Sequence, residues 1–505
     1  MLFEKTFLDN ADLQKFEMYR VLKTIDNYGF TINDLSVKMH VSYQQAYNIF
    51  REMLTDIEQL TGKNTRLSKK RVMSHDSFPS SVDDYRLFLL EQSVQFQFVD
   101  YLVQATSLSV DKFCQDRFIS RSTLTRKTVP LRQMLAKYGI QISFTKPGFV
   151  GDERKIRYFL FAFYWLGFHG VRWPIAAIQP QQLNSAYRNL ADDPRSPLVG
   201  LQEMLFWGIC RLRIVRGHVL EPWARYDELY GAAPAMNTNV YSQKMFPKLT
   251  PMQRQAESQF FRFYQHNHYL FTRVQNNWLE TYANVMNHDN VVHHYIDRLT
   301  DYLEQFWRKD AQLAMSDNSL LVTNMIRVAA GFYLFDGGFP QIIDFTDENR
   351  VTYPHSNIYL WLIQFHEQLP DTAEYAVFKD NAIDMTMIYC YLLGPQAKMF
   401  TPSQTVNCKI MLDEVNLNVH HVTTFLQCMS FARVMHPDEP LTSADLILTC
   451  VDDIPQVAEQ VKDGQTLVTW YNDATASDFY QLYLTIKGIT FRKLGLPETY
   501  DAIRI

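Results

Sequence analysis

The chain has 505 residues, 47% apolar and 20% charged, with 18 Gly and 20 Pro. That composition excludes a disordered, collagen-like or linker-rich protein, and the length predicts about three to five domains. The net charge of −5 is uneven: residues 1–157 carry 23 Lys+Arg against 18 Asp+Glu, while the rest carries 26 against 36. Within 61–157 the count is 17 against 9, so the basic N-terminal third predicts a polyanionic partner.

No stretch reads as a membrane span. The longest apolar candidate, Tyr158–Val171, is bounded by Arg157 and Arg172 and is shorter than the ~18–20 residues required. The first thirteen residues hold Glu4, Lys5, Asp9 and Asp12, which does not read as a secretory leader. The six cysteines (114, 210, 390, 408, 428, 450) form no C-x-x-C, so neither a zinc site nor a disulfide framework is predicted, and a reducing cytoplasm fits.

In chain order, Asp12–Asp26 is periodic in Leu13, Phe16, Tyr19 and Leu22. Thr31 can cap a helix over Ile32–Met39, His40-Val41-Ser42 forms a turn, and Tyr43–Leu60 forms a longer helix. Counting Ile32 as the first position, Leu35, Met39, Val41, Ala46 and Ile49 are the apolar contacts of a helix-turn-helix, and Ser36 is the small residue at the crossing. His40 stands where such turns usually carry Gly, and His tolerates left-handed backbone better than most residues. An ordinary helical hairpin fits this segment alone as well. Thr61–Ser81 is basic, with Lys63, Arg66, Lys69, Lys70 and Arg71. It reads as a wing or a linker lying along phosphates, or as a solvated loop.

The next segment reads as a second unit. Asp83–Ala105 reads as one long helix, Ser109 caps Val110–Asp116, and Arg117-Phe118-Ile119 forms a turn. Ser120 caps a helix running toward Tyr138, with Leu124, Thr128, Leu131 and Leu135 on one face and a kink expected at Pro130. Ile140–Phe144 alternates as a strand, Lys146-Pro147-Gly148 turns, and Phe149-Val150 returns, completing a wing.

Residues 152–397 read as helical, over Glu153–Gly167, Leu198–Arg216, Pro251–His266, Asn290–Lys309, Leu320–Phe335, Ser356–Gln368 and Asn381–Leu393. Arg172–Pro197 reads as a connector, and a break near Asn287–Asn290 divides the region. From residue 404 the texture changes. Strands are predicted at Val406–Leu412, Ala432–Met435, Asp445–Cys450 and Thr466–Tyr471, and helices at Val419–Cys428, Ile454–Lys462 and Ala474–Ile486. Alternating elements predict a small α/β domain with a mainly parallel sheet.

The second unit reads Phe113-Cys114-x-x-Arg117-Phe118-Ile119-Ser120-Arg121-Ser122-Thr123-Leu124-x-Arg126-Lys127, then Leu135…Tyr138-Gly139-Ile140-x-Ile142, Gly151-x-Glu153-x-x-x-Arg157 and Trp173-Pro174. With the element order, this resembles the Mga/AtxA family of transcription regulators of Gram-positive bacteria. The resemblance implies a multi-domain, mainly α protein with two N-terminal (winged) helix-turn-helix units, two all-helical PRD-like domains and a C-terminal small α/β EIIB-like domain. The expected borders are 1–75, 82–152, 153–287, 288–400 and 404–505. The resemblance also implies a cytoplasmic regulator that dimerises through its C-terminal region and has histidines open to phosphorylation. The phosphotransferase system's phosphocarrier proteins would supply the phosphate.

Phosphates are gripped by cations, and base edges are read by side chains from a helix in the major groove. The candidate readers are Ser42, Tyr43, Gln44, Gln45, Asn48 and Arg51 in the first unit, and Arg121, Ser122, Thr123, Thr125, Arg126 and Lys127 in the second. Lys69, Lys70, Arg71 and Lys146 are the accessory cations. The richer charge of the second unit predicts the dominant contact there. His218, beside Arg213 and Arg216, is the first phosphorylation candidate, with His266 and His268 second and His355 and His366 in the second helical half.

A phosphocysteine EIIB needs a Cys in the loop after the first strand. Leu412–Asn418 has none and carries Asp413 and Glu414, so Cys408 is expected to be core and the domain a dimerisation module. No phosphate-cradling, zincin or nucleophile-elbow motif occurs, so no enzyme, cofactor or metal site is expected. The alternatives are a PRD-containing RNA-binding antiterminator, which would start with a β-rich module, a phosphotransferase-system phosphocarrier, and an interaction scaffold.

Overall fold

The structure is a computed structural model. It describes residues 2–24, 30–62, 78–187, 197–267, 282–308, 314–345, 356–400, 405–412, 418–429, 431–451, 461, 464–471 and 473–493. The chain folds as two compact units. The first is Met1–His268 with Leu334–Glu348, and the second is Tyr269–Tyr333 with Asn349–Arg504.

The first unit opens with α1 (Leu2–Phe7), α2 (Asn10–Thr24), α3 (Ile32–Lys38) and α4 (Tyr43–Thr61). Tyr19, Leu22, Leu35, Ala46, Phe50 and Ile57 form their core, with Phe78 ringed by Tyr19, Phe30 and Phe50. Lys15 ties α2 to α4 through Asp56 at 2.6 Å, and the Tyr85 hydroxyl donates to the same carboxylate at 2.9 Å. Burial alone would lower the Lys15 pKa, and its bonds to Asp56 and Asp12 more than offset this and raise it.

The expected helix over 83–105 is two helices, α5 (Val82–Gln92) and α6 (Val94–Gln104). Ser93 breaks it: its backbone is extended, and its hydroxyl accepts from the Phe96 N–H and donates to the Phe7 carbonyl. Such a serine offers the backbone an alternative to helix. Next come α7 (Val110–Asp116), α8 (Arg121–Lys127), α9 (Val129–Ala136) and the antiparallel wing β1 (Gln141–Ser143) and β2 (Gly148–Val150).

The kink expected at Pro130 is a full break. Pro130 lies in the first turn of α9, where its missing N–H leaves no intrahelical bond unmade. Thr128, fully buried, closes α8 with its N–H and hydroxyl on the Leu124 carbonyl. Leu124, Leu131 and Leu135 still share one fully buried face across the break.

From the wing, Asp152 caps α10 (Glu153–Phe168), a helix with twelve buried residues. Its aromatic face meets α1 and α6 through Phe163 against Phe7 and Phe96. Gly167 permits this approach, since a Cβ there would lie 2.7 Å from the Phe96 ring. Helices α11 (Pro180–Tyr187), α12 (Pro197–Val215), α13 (Ala224–Tyr230) and α14 (Pro251–His266) complete the unit. The expected connector thus contains α11, which opens on Pro180 at a tolerated position.

In the second unit are α15 (Val291–Glu304), α16 (Ser319–Leu334), α17 (Ser356–Gln368), α18 (Ala376–Asp380) and α19 (Ala382–Leu393). The helix expected to reach Lys309 ends at Glu304, because Trp307 pairs as an isolated bridge with Phe400 and the Arg308 N–H bonds the Met399 carbonyl. The sheet has order β4-β3-β5-β6, with β3 (Val406–Met411), β4 (Ala432–Val434), β5 (Leu446–Thr449) and β6 (Thr466–Thr469), and every pairing is parallel. Helices α20 (Asn418–Cys428) and α21 (Ala476–Lys493) pack on it through Val422, Leu426, Leu482 and Ile486. The expected helix over 454–462, apart from Val461, and the loop 413–417 lie outside the described residues.

Candidate nucleic-acid interface

Both units build their turn in one way. His40 and Phe118 are left-handed, each with φ of 54°. The next N–H reaches back into the preceding helix, Val41 to the Ser36 carbonyl and Ile119 to the Cys114 carbonyl, each at 3.0 Å. This is the Schellman turn, and the two helices that it joins need a small residue where they cross. Ser36 and Cys114 fill that place, five residues before Val41 and Ile119 respectively.

Each turn leads to a serine cap. The Ser42 hydroxyl accepts from the Gln45 N–H while the Gln45 side chain accepts from the Ser42 N–H, a full capping box. Ser120 accepts from the Thr123 N–H. The first reader set, Ser42, Tyr43, Gln44, Gln45, Asn48 and Arg51, is exposed along α4. Two of its amides have local duties: Gln45 in the cap, and Gln44 donating to Asn48 at 3.2 Å.

In the second set Arg121, Ser122, Thr125 and Arg126 are exposed, and Thr123 and Lys127 are half-buried. Arg121 forks onto Asp111 of α7, with one bond at 2.9 Å. Lys127 pairs with Asp9, and Ser122 and Thr123 bond the Ser120 hydroxyl. Lys146 stands exposed in the wing turn. The sequence did not disclose the partners Asp9 and Asp111, which lie 118 and 10 residues from their cations. Lys69, Lys70 and Arg71 fall outside the described residues.

Residues 79–164 match the family model of the Mga helix-turn-helix domain. The chain carries an Mga helix-turn-helix domain. The match runs from just before α5 through the wing into α10, and the first helix-turn-helix unit lies before it. This is consistent with the Mga/AtxA-type regulators that the second unit's wording resembles, and it points to a DNA-binding transcription regulator. The chain has no match among curated proteins. No helix among the described residues is long and apolar enough to cross a membrane.

The Mga domain is anchored by the residues of its last motif. Glu153 accepts from Arg157 at 3.0 Å and from both arms of Arg213 at 2.8 and 2.7 Å. Arg157, wholly buried, forks onto the equally buried Glu257 and donates to the His218 carbonyl at 2.7 Å. Burial alone would lower the Arg157 pKa, and Glu257 with Glu153 holds it well above its ordinary value. Arg216 donates to the carbonyls of Gln104 and Ala105.

His218 is therefore exposed beside two arginines that already have partners. Desolvation of the half of the ring that faces the protein, and then Arg213, push its pKa below the usual histidine value. His266 is buried. His366 is buried with Nε2 on the Tyr295 hydroxyl at 2.9 Å and Nδ1 on the Leu362 carbonyl at 2.7 Å, and burial pushes its pKa down to about 4. A ring so engaged offers no open nitrogen to a phosphoryl donor. His268 and His355 lie outside the described residues. Cys408 is fully buried within β3, and burial pushes its thiol up to about 12.

Proposed function

We propose that this protein is a transcription regulator that binds double-stranded promoter DNA through both helix-turn-helix units, with the Mga domain as the dominant contact. The single observation that carries this is the exposed Arg126 on a serine-capped helix, in a segment matching the Mga helix-turn-helix domain and followed by a wing with Lys146 at its tip. Arg121, Ser122, Thr123, Thr125, Arg126 and Lys127 would meet the major groove, and Lys146 the flanking backbone. In the first unit Tyr43, Asn48 and Arg51 would read, while Ser42 and Gln45 hold the cap.

The helical segments 153–287 and 288–400 are taken as PRD-like and 404–505 as EIIB-like, with a homodimer through the last. His218 is the preferred phosphorylation site because it is the exposed one among the described candidates. A phosphate there would draw Arg213 from Glu153, so the switch acts by charge and not by bond-making on a substrate. The location is cytoplasmic and the chain is not an enzyme in this reading.

Fluorescence anisotropy with a promoter-length duplex and a matched single-stranded RNA, each across a salt series, tests it. Arg126→Ala/Lys127→Ala should flatten the slope of log K against log salt by up to about 2. RNA preference would favour the antiterminator, and no salt-dependent binding by folded protein would favour the scaffold. Mass spectrometry after incubation with the phosphocarrier proteins tests the phosphate, and an unmodified His218 would refute it.

A further inference from the structure

Phe118 is 97% exposed and left-handed. For a bulky residue a positive φ is an outlier, and Gly would hold the same turn without strain. At the matching place the first unit carries His40, a polar ring. The other exposed aromatic side chains among the described residues, Tyr43, Tyr47, Tyr471 and Tyr480, all end in a hydroxyl. Phe118 thus combines strained backbone with a bare apolar ring in water, and folding explains neither.

Its surroundings say what covers it. Residues 110–127 hold five cations, Lys112, Arg117, Arg121, Arg126 and Lys127, against Asp111 and Asp116. Phe118 is the left-handed residue that follows the Arg117 cap of α7, two residues before the Ser120 cap of α8. When the second helix of such a unit enters the major groove, its first residues lie at the base edges. The apolar group presented there is the thymine C5-methyl, and Phe is one of the side chains suited to it.

We infer, on the strength of the DNA-binding reading above, that Phe118 is a specificity-determining residue whose ring packs on a thymine methyl in the major groove. The contact carries no charge and releases no counterion, so it leaves the salt dependence untouched.

The test uses the full chain and the tightest duplex it selects from a random-sequence pool. Phe118→Ala should weaken that duplex about tenfold with an unchanged salt slope. Replacing thymine by deoxyuridine, which removes the methyl and keeps the hydrogen-bond pattern, should weaken wild type by a similar factor. It should weaken Phe118→Ala by less, the mark of a shared contact. Phe118→Asn, which suits left-handed backbone, should lose the same affinity while melting at or above the wild-type temperature, so a folding defect is not the cause. Undiminished binding by Phe118→Ala, or an equal deoxyuridine penalty in both proteins, overturns the inference. A wild type that selects no duplex overturns the DNA-binding reading and this contact with it.

Discussion

In the first helix-turn-helix unit the Ser42-capped helix runs unbroken for 19 residues; in the second the Ser120-capped helix stops after seven, at Thr128. The turns before them agree in detail, down to the left-handed residue and the 3.0 Å bond behind it. Beyond the turns the two units part. The first unit shows amides, two tyrosines and Arg51, and the second shows cations, a bare phenylalanine and a wing. The turn is thus shared by the two units, and they differ in the side chains mounted on its far side.

The largest effect expected from testing this contrast concerns anchoring. Arg157→Ala leaves Glu257 buried without its cation, with the Leu220 N–H still donating to it, which should cost about 3–5 kcal/mol in urea unfolding. A loss under about 1 kcal/mol would detach the Mga domain's stability from that network. Next, Leu35→Ala and Leu124→Ala each empty a fully buried site between the two helices of a turn, at about 2–5 kcal/mol apiece. Equal losses would support the shared geometry, and a near-neutral Leu124→Ala would break it. Cap removal is smaller: Ser42→Ala and Ser120→Ala should cost about 0.5–2 kcal/mol. The larger loss is expected at Ser42, where the capping box is reciprocal.

The smallest effect is a pH term. Lys15 has a raised pKa when folded, so its pairing stabilises fully below pH 10.5 and fades as pH rises past its folded value. Solvent reaches the edge of this pair and screens it, so the loss should be less than about 1 kcal/mol. Comparing wild type with Lys15→Met by urea unfolding at about pH 9 and about pH 11, on either side of the ordinary lysine value, measures it. Parallel losses in both proteins would refute it.

Much of this was legible in the sequence. The Ser109 and Ser120 caps, the small residue Ser36, His40 in left-handed backbone, the wing and the parallel sheet arise from local chemistry and periodicity, whereas the Ser42 cap and the matching place of Cys114 were not read. What else escaped depends on distant partners. Ser93 breaks a helix because Phe7, 86 residues away, receives its hydroxyl. Asp9, 118 residues away and outside the Mga match, holds the candidate reader Lys127. Pro130 was visible, but a kink and a new start look alike until Thr128 is seen closing the earlier helix.

The junction between wing and α10 leaves no slack. One residue, Gly151, lies between β2 and the Asp152 cap, and with φ of 142° it lies so close to the Gly139 carbonyl that a Cβ would sit 2.7 Å from it. The 16 residues of α10 make a rod about 24 Å long. Pivoted at one end, a rod of that length turns a tilt of about 5° into a shift of about 2 Å at the other, comparable with the reach of the hydrogen bonds it would rearrange. Glu153 and Arg157 hold α10 to α12 and α14 at its wing end, so the wing sits at the pivot and the far end, at Phe168, takes the shift.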